Sequence, residues 1–96
     1  QVLRLYQQTL PDKMNRLQIE WDARNYEEVR NLRHSLKNSF TYLGADLLKE
    51  KAHSLEDIIE GRTEHAYVDS IVKDISGAST GIEKKIAELI ESYEHK

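Results

Sequence analysis

The sequence contains no cysteine, one proline and only four glycines among its 96 residues. The absence of cysteine excludes disulfide bonds and thiolate metal sites, so the fold has to be held together by packing. Because proline and glycine are scarce while Leu, Ile, Glu and Lys are frequent, the composition favours an all-helical chain.

Long apolar runs are also lacking, and so is an excess of positive charge. No segment has the length and hydrophobicity of a transmembrane helix or the pattern of a signal peptide. The formal net charge is −3, whereas a dedicated nucleic-acid binder normally carries a dominant basic surface. We therefore expect neither direct membrane contact nor a nucleic-acid partner.

The residues that are present fit one small domain. With 39% hydrophobic and 32% charged residues, the chain is too apolar for a disordered tail, and its length allows a single core over residues 1–96. The chain begins at Gln1 rather than Met. We expect this domain to be excised from a longer protein.

Apolar residues recur with a period close to 3.6, which indicates helices. The spacing predicts a short helix over 2–10 and a second helix from Pro11 to about residue 23. A third helix is predicted over 26–43, with Gly44 as its stop, and a fourth ends at Gly61.

The last predicted helix begins after a cap at Thr63 and runs unbroken to the C-terminal end. Gly77 and Gly81 weaken it locally, but they fall on its solvent face and the apolar phase does not reset. The expected fold is all-α, an antiparallel up-down-up-down four-helix bundle with a short extra N-terminal helix.

The third predicted helix separates an apolar face from a polar one. On a helical wheel with about 100° per residue, His34 lies opposite the apolar arc. That arc consists of Val29, Leu32, Leu36, Ser39, Phe40 and Leu43. The polar face around His34 consists of Arg30, Asn31, Lys37, Asn38 and Thr41, with Arg33 at its edge. We therefore expect an exposed imidazole at mid-helix, flanked by cations in a chain that is acidic overall.

An exposed imidazole with neighbouring cations suits phosphoryl transfer. Imidazole is nucleophilic near neutral pH, and an exposed ring lets a phosphoryl donor approach in line. Lys37 lies one turn from His34, where its charge would stabilise the phosphoryl oxygens. Arg30 and Arg33 would favour docking of an acidic partner. The wheel alone favours a solvated histidine that has no chemical role over a phosphoacceptor.

The sequence around His34 resembles the signature of the histidine phosphotransfer (Hpt) family. The segment His34-Ser35-Leu36-Lys37-Asn38-Ser39 is similar to the box H-x-L-K-G-S/A. The triplet Leu43-Gly44-Ala45 is similar to the aliphatic-Gly-Ala triplet that ends the same helix in the family. Further matches are Leu48, Ala52, Leu55 and Glu56 downstream, and Leu10-Pro11, Leu17 and Arg24-Asn25-Tyr26 upstream. The remaining third of the chain is similar only as an amphipathic helix.

The resemblance implies a monomeric helical bundle at or near the C-terminus of a hybrid sensor histidine kinase. Such domains accept a phosphoryl group from an aspartyl-phosphate on a receiver domain and pass it to an Asp of another receiver. They have no cofactor or metal of their own, and Mg²⁺ belongs to the receiver. The resemblance also implies a cytoplasmic location, with the parent protein a candidate membrane-bound kinase.

Carried over by position, His34 is the phosphoacceptor and Lys37 its basic neighbour. The residues expected to contact phosphate or partner are Lys37, Arg33, Arg30, Asn38 and Thr41. Those expected to maintain the motif structurally are Leu36, Ser39, Leu43, Gly44 and Ala45. Two positions depart from the family pattern, because Asn38 stands where Gly is usual and Arg33 where Ala is common. Both departures cast doubt on which receiver the domain would bind more than on whether it would transfer a phosphoryl group.

Other assignments are weaker. His53, His65 and His95 lie outside any comparable box, and no pair of them has a spacing that would place two imidazoles on one helix face for a metal. A helical adaptor that binds a partner through the same basic face, without phosphoryl chemistry, is the main alternative. A dimerising kinase helix is a second alternative, although such helices usually have an acidic residue directly after the histidine, where this chain has Ser35.

Overall fold

Five helices occupy most of the described chain. The computed structural model describes residues 2–59 and 65–94, and the side-chain surroundings of residues 2–55 and 66–94. The helices are α1 (Val2–Asp22), α2 (Tyr26–Leu43), α3 (Asp46–Ile59), α4 (His65–Gly77) and α5 (Ser79–Glu94). The predicted helix end at Gly61 and the predicted cap at Thr63 lie outside the described residues.

Helix α1 is the central packing partner of the bundle. It packs against α2, α4 and α5, while α3 packs against α2 and α4. The Tyr6 and Tyr42 rings meet edge to face with centroids 5.4 Å apart, and the Arg16 guanidinium lies 3.2 Å from a Glu28 carboxylate oxygen. The contact nearer the start of α1 is made to the end of α2, and the contact further along α1 is made to the start of α2. The two helices are therefore antiparallel.

The same order relates α1 to the last two helices. The Arg4 guanidinium pairs with the Glu94 carboxylate at one end of the molecule. At the other end the Trp21 indole N–H donates to Asp69 Oδ1 over 3.3 Å. Helices α4 and α5 together therefore form one arm that runs antiparallel to α1, and the fold is an all-α bundle as predicted.

Apolar stripes from all five helices converge on one core. Its fully buried side chains, at 0–1% exposure, are Leu10, Met14, Leu17, Val29, Leu36, Phe40, Ala52, Leu55, Val68, Val72, Ile75 and Ile86. Apart from Ala52, each of these large apolar side chains contributes about 1.5–3 kcal/mol when removed from water. In a chain without cysteine, burial of these side chains is the main source of stability.

The prediction of a separate N-terminal helix is wrong, because Pro11 lies inside α1. Proline in a helix interior removes one backbone hydrogen bond and costs about 3 kcal/mol. The apolar stripe keeps one phase across it, through Leu3, Tyr6, Leu10, Met14, Leu17 and Trp21. Burial of several large side chains against α2 and α5 outweighs the proline cost, so the helix continues.

The prediction of one unbroken last helix is wrong at a single residue. Ala78 separates α4 from α5, and its N–H lies 3.1 Å from both the Asp74 and the Ile75 carbonyl oxygens. The predicted phase is nevertheless confirmed, since Ile75 and Ile82 are buried on either side of the break. Two nearby glycines, poor helix formers, account for the weakness at this point.

Gly44 ends α2 as predicted. Its φ of 70° is left-handed, a conformation that costs little only without a Cβ. The Gly44 N–H donates to the Thr41 carbonyl and the Ala45 N–H to the Phe40 carbonyl, over 3.2 and 2.9 Å. This cap reverses the chain and sends α3 back along α2.

The burial pattern of α2 predicts which substitutions unfold the protein. Leu36→Ala and Leu32→Ala, at positions 0% and 5% exposed, should each lower the free energy of unfolding by about 2–5 kcal/mol. Arg30→Ala and Asn31→Ala, on the exposed face, should each cost less than about 0.5 kcal/mol. Denaturant titrations of the four variants measure the difference, and equal losses in both pairs would contradict the rotation of α2 described here.

Candidate functional site

The orientation of α2 follows from its apolar arc. Val29, Leu36 and Phe40 are fully buried, and Leu32 and Leu43 nearly so. His34 is the ninth of the 18 residues of this helix and is exposed. Because the arc faces the core, the imidazole on the opposite side faces solvent at the middle of the molecule's polar face. The sequence-predicted position of His34 is thus the observed one.

The exposed face around His34 contains most of the predicted contact residues. Arg30, Asn38 and Thr41 are exposed, and Lys37 is half-buried. The Thr41 hydroxyl donates to the Lys37 carbonyl oxygen over 2.8 Å, so its oxygen keeps free lone pairs toward solvent. These four residues lie one or two turns from His34 and share its face of α2.

The two flanks of His34 meet different helices. On one flank Ser35 faces α1, where the Lys13 ammonium donates to the Ser35 hydroxyl over 2.9 Å. On the other flank Lys37 faces α3 and lines a shallow groove together with Lys49, Glu50, His53 and Ser54. His34 therefore lies on a ridge between an α1 side and an α3 side, each carrying at least one lysine.

Arg33 does not belong to the exposed face, and its predicted position at an accessible edge is wrong. Its exposed fraction is 6%. On the wheel it lies beside Phe40, on the side of α2 that faces α3, so helix packing covers it. The assignment of Arg33 as a partner contact is therefore withdrawn.

The motif residues lie beneath the polar face. Leu36, Ser39 and Leu43 are buried, and Ala45 is half-buried against the core. The Ser39 hydroxyl donates to the Ser35 carbonyl over 3.1 Å, which satisfies a polar group at 5% exposure. A small side chain at this position lets α1 approach the helix segment that carries His34.

Some cations of the described chain pair with carboxylates, whereas others, including those near His34, do not. Arg4, Arg16, Lys51 and Lys73 each pair with a carboxylate. Within residues 2–55 and 66–94, Lys13, Arg30 and Lys37 have no carboxylate at ion-pair distance. Their charges are therefore not neutralised by the described part of the fold, and the polar face of α2 is locally positive in an acidic chain.

The other histidines are less well placed for this chemistry. His53 is exposed on α3 and lines the groove, whereas His34 lies on the ridge. His65 begins α4, but its side chain lies outside the described surroundings, as does all of His95. Among the described residues, no group of three His, Cys, Asp or Glu side chains is arranged to hold a metal ion. None of the helices in the described ranges is long and apolar enough to cross a membrane.

The sequence analysis did not identify Lys13. On a helical wheel of α1, Lys13 lies next to the apolar stripe, at the boundary between the buried and the exposed face. The contact with Ser35 depends on how α1 is aligned along α2, and no pattern in either helix alone specifies that alignment. The edge-to-face contact of Tyr6 with Tyr42 is part of the packing that fixes it.

An exposed histidine on a positively charged helix face of an all-α bundle is compatible with a histidine-bearing phosphotransfer module. Comparison with protein families agrees, because the model of the Hpt domain matches residues 1–93. The chain therefore belongs to the Hpt domain family. Comparisons with curated proteins and with solved structures find no match.

The burial of Arg33 predicts a structural rather than a docking effect. Arg33→Ala should lower the free energy of unfolding by about 1–3 kcal/mol, since packing around a covered side chain is lost. Arg30→Ala, one turn away and exposed, is the matched control and should change it by less than about 0.5 kcal/mol. Urea denaturation of both variants tests this, and an equally small effect at the two positions would contradict the packing of Arg33.

Proposed function

We propose that this domain is a phosphorelay phosphocarrier with His34 as its phosphoacceptor. The family membership supports histidine phosphotransfer. The observation that supports His34 in particular is its exposure at mid-helix, opposite the buried arc and among cations without carboxylate partners in the described chain. The domain is an intermediate that carries the group rather than a stand-alone enzyme.

In the proposed reaction a ring nitrogen of His34 attacks the phosphorus of a receiver's aspartyl-phosphate. The new N–P bond forms as the P–O bond to the aspartate breaks, and the aspartate leaves as a carboxylate. The positive charge on the ring is relieved by loss of a proton to solvent or by onward transfer. The reverse sequence then gives the phosphoryl group to an Asp of a second receiver.

Lys37 is proposed to stabilise the charge that this transfer moves. It lies one turn from His34 on the α3 side, and its half-buried stem limits the positions of its ammonium. In a loose phosphoryl-transfer transition state, charge is spread over the equatorial oxygens. A cation held beside those oxygens stabilises the transition state more than the ground state, and therefore lowers the barrier to transfer.

Arg30, Asn38 and Thr41 are proposed to contact the receiver. Their exposed positions on the turns around His34 lie where a docked partner would cover them. The positive charge of this face suits an acidic active-site rim and speeds encounter. Asn38, in place of the usual Gly, adds a side chain that a receiver has to accommodate and that offers it an amide donor.

The proposed context follows the family. The domain acts as a monomeric up-down-up-down bundle without a cofactor of its own, and Mg²⁺ is bound by the partner receiver. The parent protein is a hybrid sensor histidine kinase with this domain in the cytoplasm. These points rest on family membership.

One alternative is a helical adaptor that binds its partner through the same basic face without phosphoryl chemistry. The same cations would favour this adaptor function, so charge does not distinguish the two functions. They are distinguished by incubation with a phosphorylated receiver, because only a phosphocarrier would then carry label on histidine. A dimerising kinase helix is the other alternative, and a native mass of one chain would exclude it.

His34→Gln is predicted to abolish phosphoryl acceptance while preserving the fold. The side chain is exposed, so its replacement should change the free energy of unfolding by less than about 0.5 kcal/mol. The measurement is incubation with a phosphorylated receiver, followed by intact mass and acid lability. His53→Gln, exposed on α3, is the control and should retain full label. Undiminished label on His34→Gln would exclude His34 as the acceptor.

Lys37→Ala and Arg30→Ala are predicted to affect different kinetic constants. Lys37→Ala should lower the transfer rate at saturating receiver, because its charge acts on the transferring group. Arg30→Ala should raise the receiver concentration for half-maximal transfer about two- to fivefold at low salt, and less at high salt, because an exposed rim charge acts on encounter.

Rapid-quench transfer against receiver concentration at two ionic strengths measures both constants. The roles would be reversed if Lys37→Ala left the saturated rate unchanged while Arg30→Ala lowered it at every salt concentration.

A further inference from the structure

Lys13 brings a second cation to the α1 side of His34. Its ammonium donates to the Ser35 hydroxyl over 2.9 Å, and Ser35 directly follows His34 in the chain. Covalent geometry then keeps the Lys13 ammonium within about 9 Å of the His34 Cα, since consecutive Cα atoms are about 3.8 Å apart. That distance is close to the Debye length at physiological ionic strength, about 8 Å.

The charge of Lys13 is available to a ligand. Arg16, one turn further along α1, pairs with Glu28 at 3.2 Å, whereas Lys13 has no carboxylate at ion-pair distance within the described residues. The Ser35 hydroxyl is a neutral acceptor and uses one of the three ammonium donors. Two donors remain for an anion on the adjacent residue.

The anchor also restricts where the ammonium goes. Lys13 is half-buried, so its stem lies along the α1–α2 contact while its head is held at the level of His34. Lys37 occupies the opposite flank, toward α3. A phosphoryl group on the His34 ring would therefore project between two lysines carried by different helices.

We propose that Lys13, anchored by Ser35, is a second phosphoryl-stabilising cation, positioned on the α1 side of phosphorylated His34. This inference rests on the proposed function, since it takes His34 as the residue that carries the phosphoryl group. Lys13 stabilises the dianionic form of that group and shifts the distribution of phosphate toward the histidine.

The test loads His34 chemically, so that no receiver is needed. Phosphoramidate transfers its phosphoryl group to imidazole: the N–P bond to the ring forms, and ammonia leaves as the old P–N bond breaks. His53, His65 and His95 are replaced by Gln so that label is confined to His34. Phosphorus NMR against pH then measures the proton affinity of the phosphoryl group.

Lys13→Met keeps a stem of similar bulk and removes the charge. It should raise the proton affinity of the phosphoryl group about two- to fivefold at low salt, the range for a partly exposed ion pair, and the effect should shrink as salt rises. Lys13→Arg keeps the charge and should restore most of the wild-type value. Lys84→Met, an equal loss of charge at an exposed position on α5, is the control and should leave the titration unchanged.

The inference is overturned if Lys13→Met titrates like the Lys84→Met control at low salt, or if Lys13→Arg shifts the titration as far as Lys13→Met does. A merely structural role for Lys13 would produce the second result. Failure of a phosphorylated receiver to label His34 would instead overturn the proposed function, and the two failures are distinguishable because chemical loading does not involve a receiver.

Discussion

The packing of the α2 apolar arc against the core is the interaction on which the rest of the site depends. Val29, Leu36 and Phe40 are fully buried, and together they fix the rotation of α2 about its own axis. A rotation of one residue, about 100°, would move His34 to the half-buried position of Ser35 or to the buried position of Arg33. Hydrophobic burial far from the chemistry therefore determines that the imidazole faces solvent and that a partner can approach it in line.

Much of this could be predicted from the sequence because these features of α2 depend on residues within α2 itself. Its periodicity, the left-handed glycine at its end and the position of His34 all depend on local geometry. Predictions failed where local preference competed with packing. Pro11 is a helix breaker by propensity, but the stripe on both sides of it keeps one phase and is buried as one surface. At Ala78 the helix is interrupted for one residue between two glycines, although the Ala78 N–H still lies 3.1 Å from the Asp74 carbonyl oxygen and the apolar phase is undisturbed.

The parts of the site that could not be predicted are those that depend on neighbouring helices. A wheel gives the angle of Arg33, but the burial of its side chain depends on how the neighbouring helices pack around that angle. Lys13 reaches Ser35 only because α1 and α2 are antiparallel in one alignment. Such contacts are set by the joint packing of large side chains such as Tyr6 and Tyr42, and single-helix periodicity carries no information about them.

The two departures from the family pattern act through different physical routes. Asn38 is exposed and α2 continues through it as regular helix, so its side chain meets only what docks from outside. Arg33 is 6% exposed, so its long side chain is part of the packing that holds the helix. A change at Asn38 alters the surface that a receiver meets and leaves the core intact. A change at Arg33 acts on the fold first, and on the neighbouring His34 only through the position of α2.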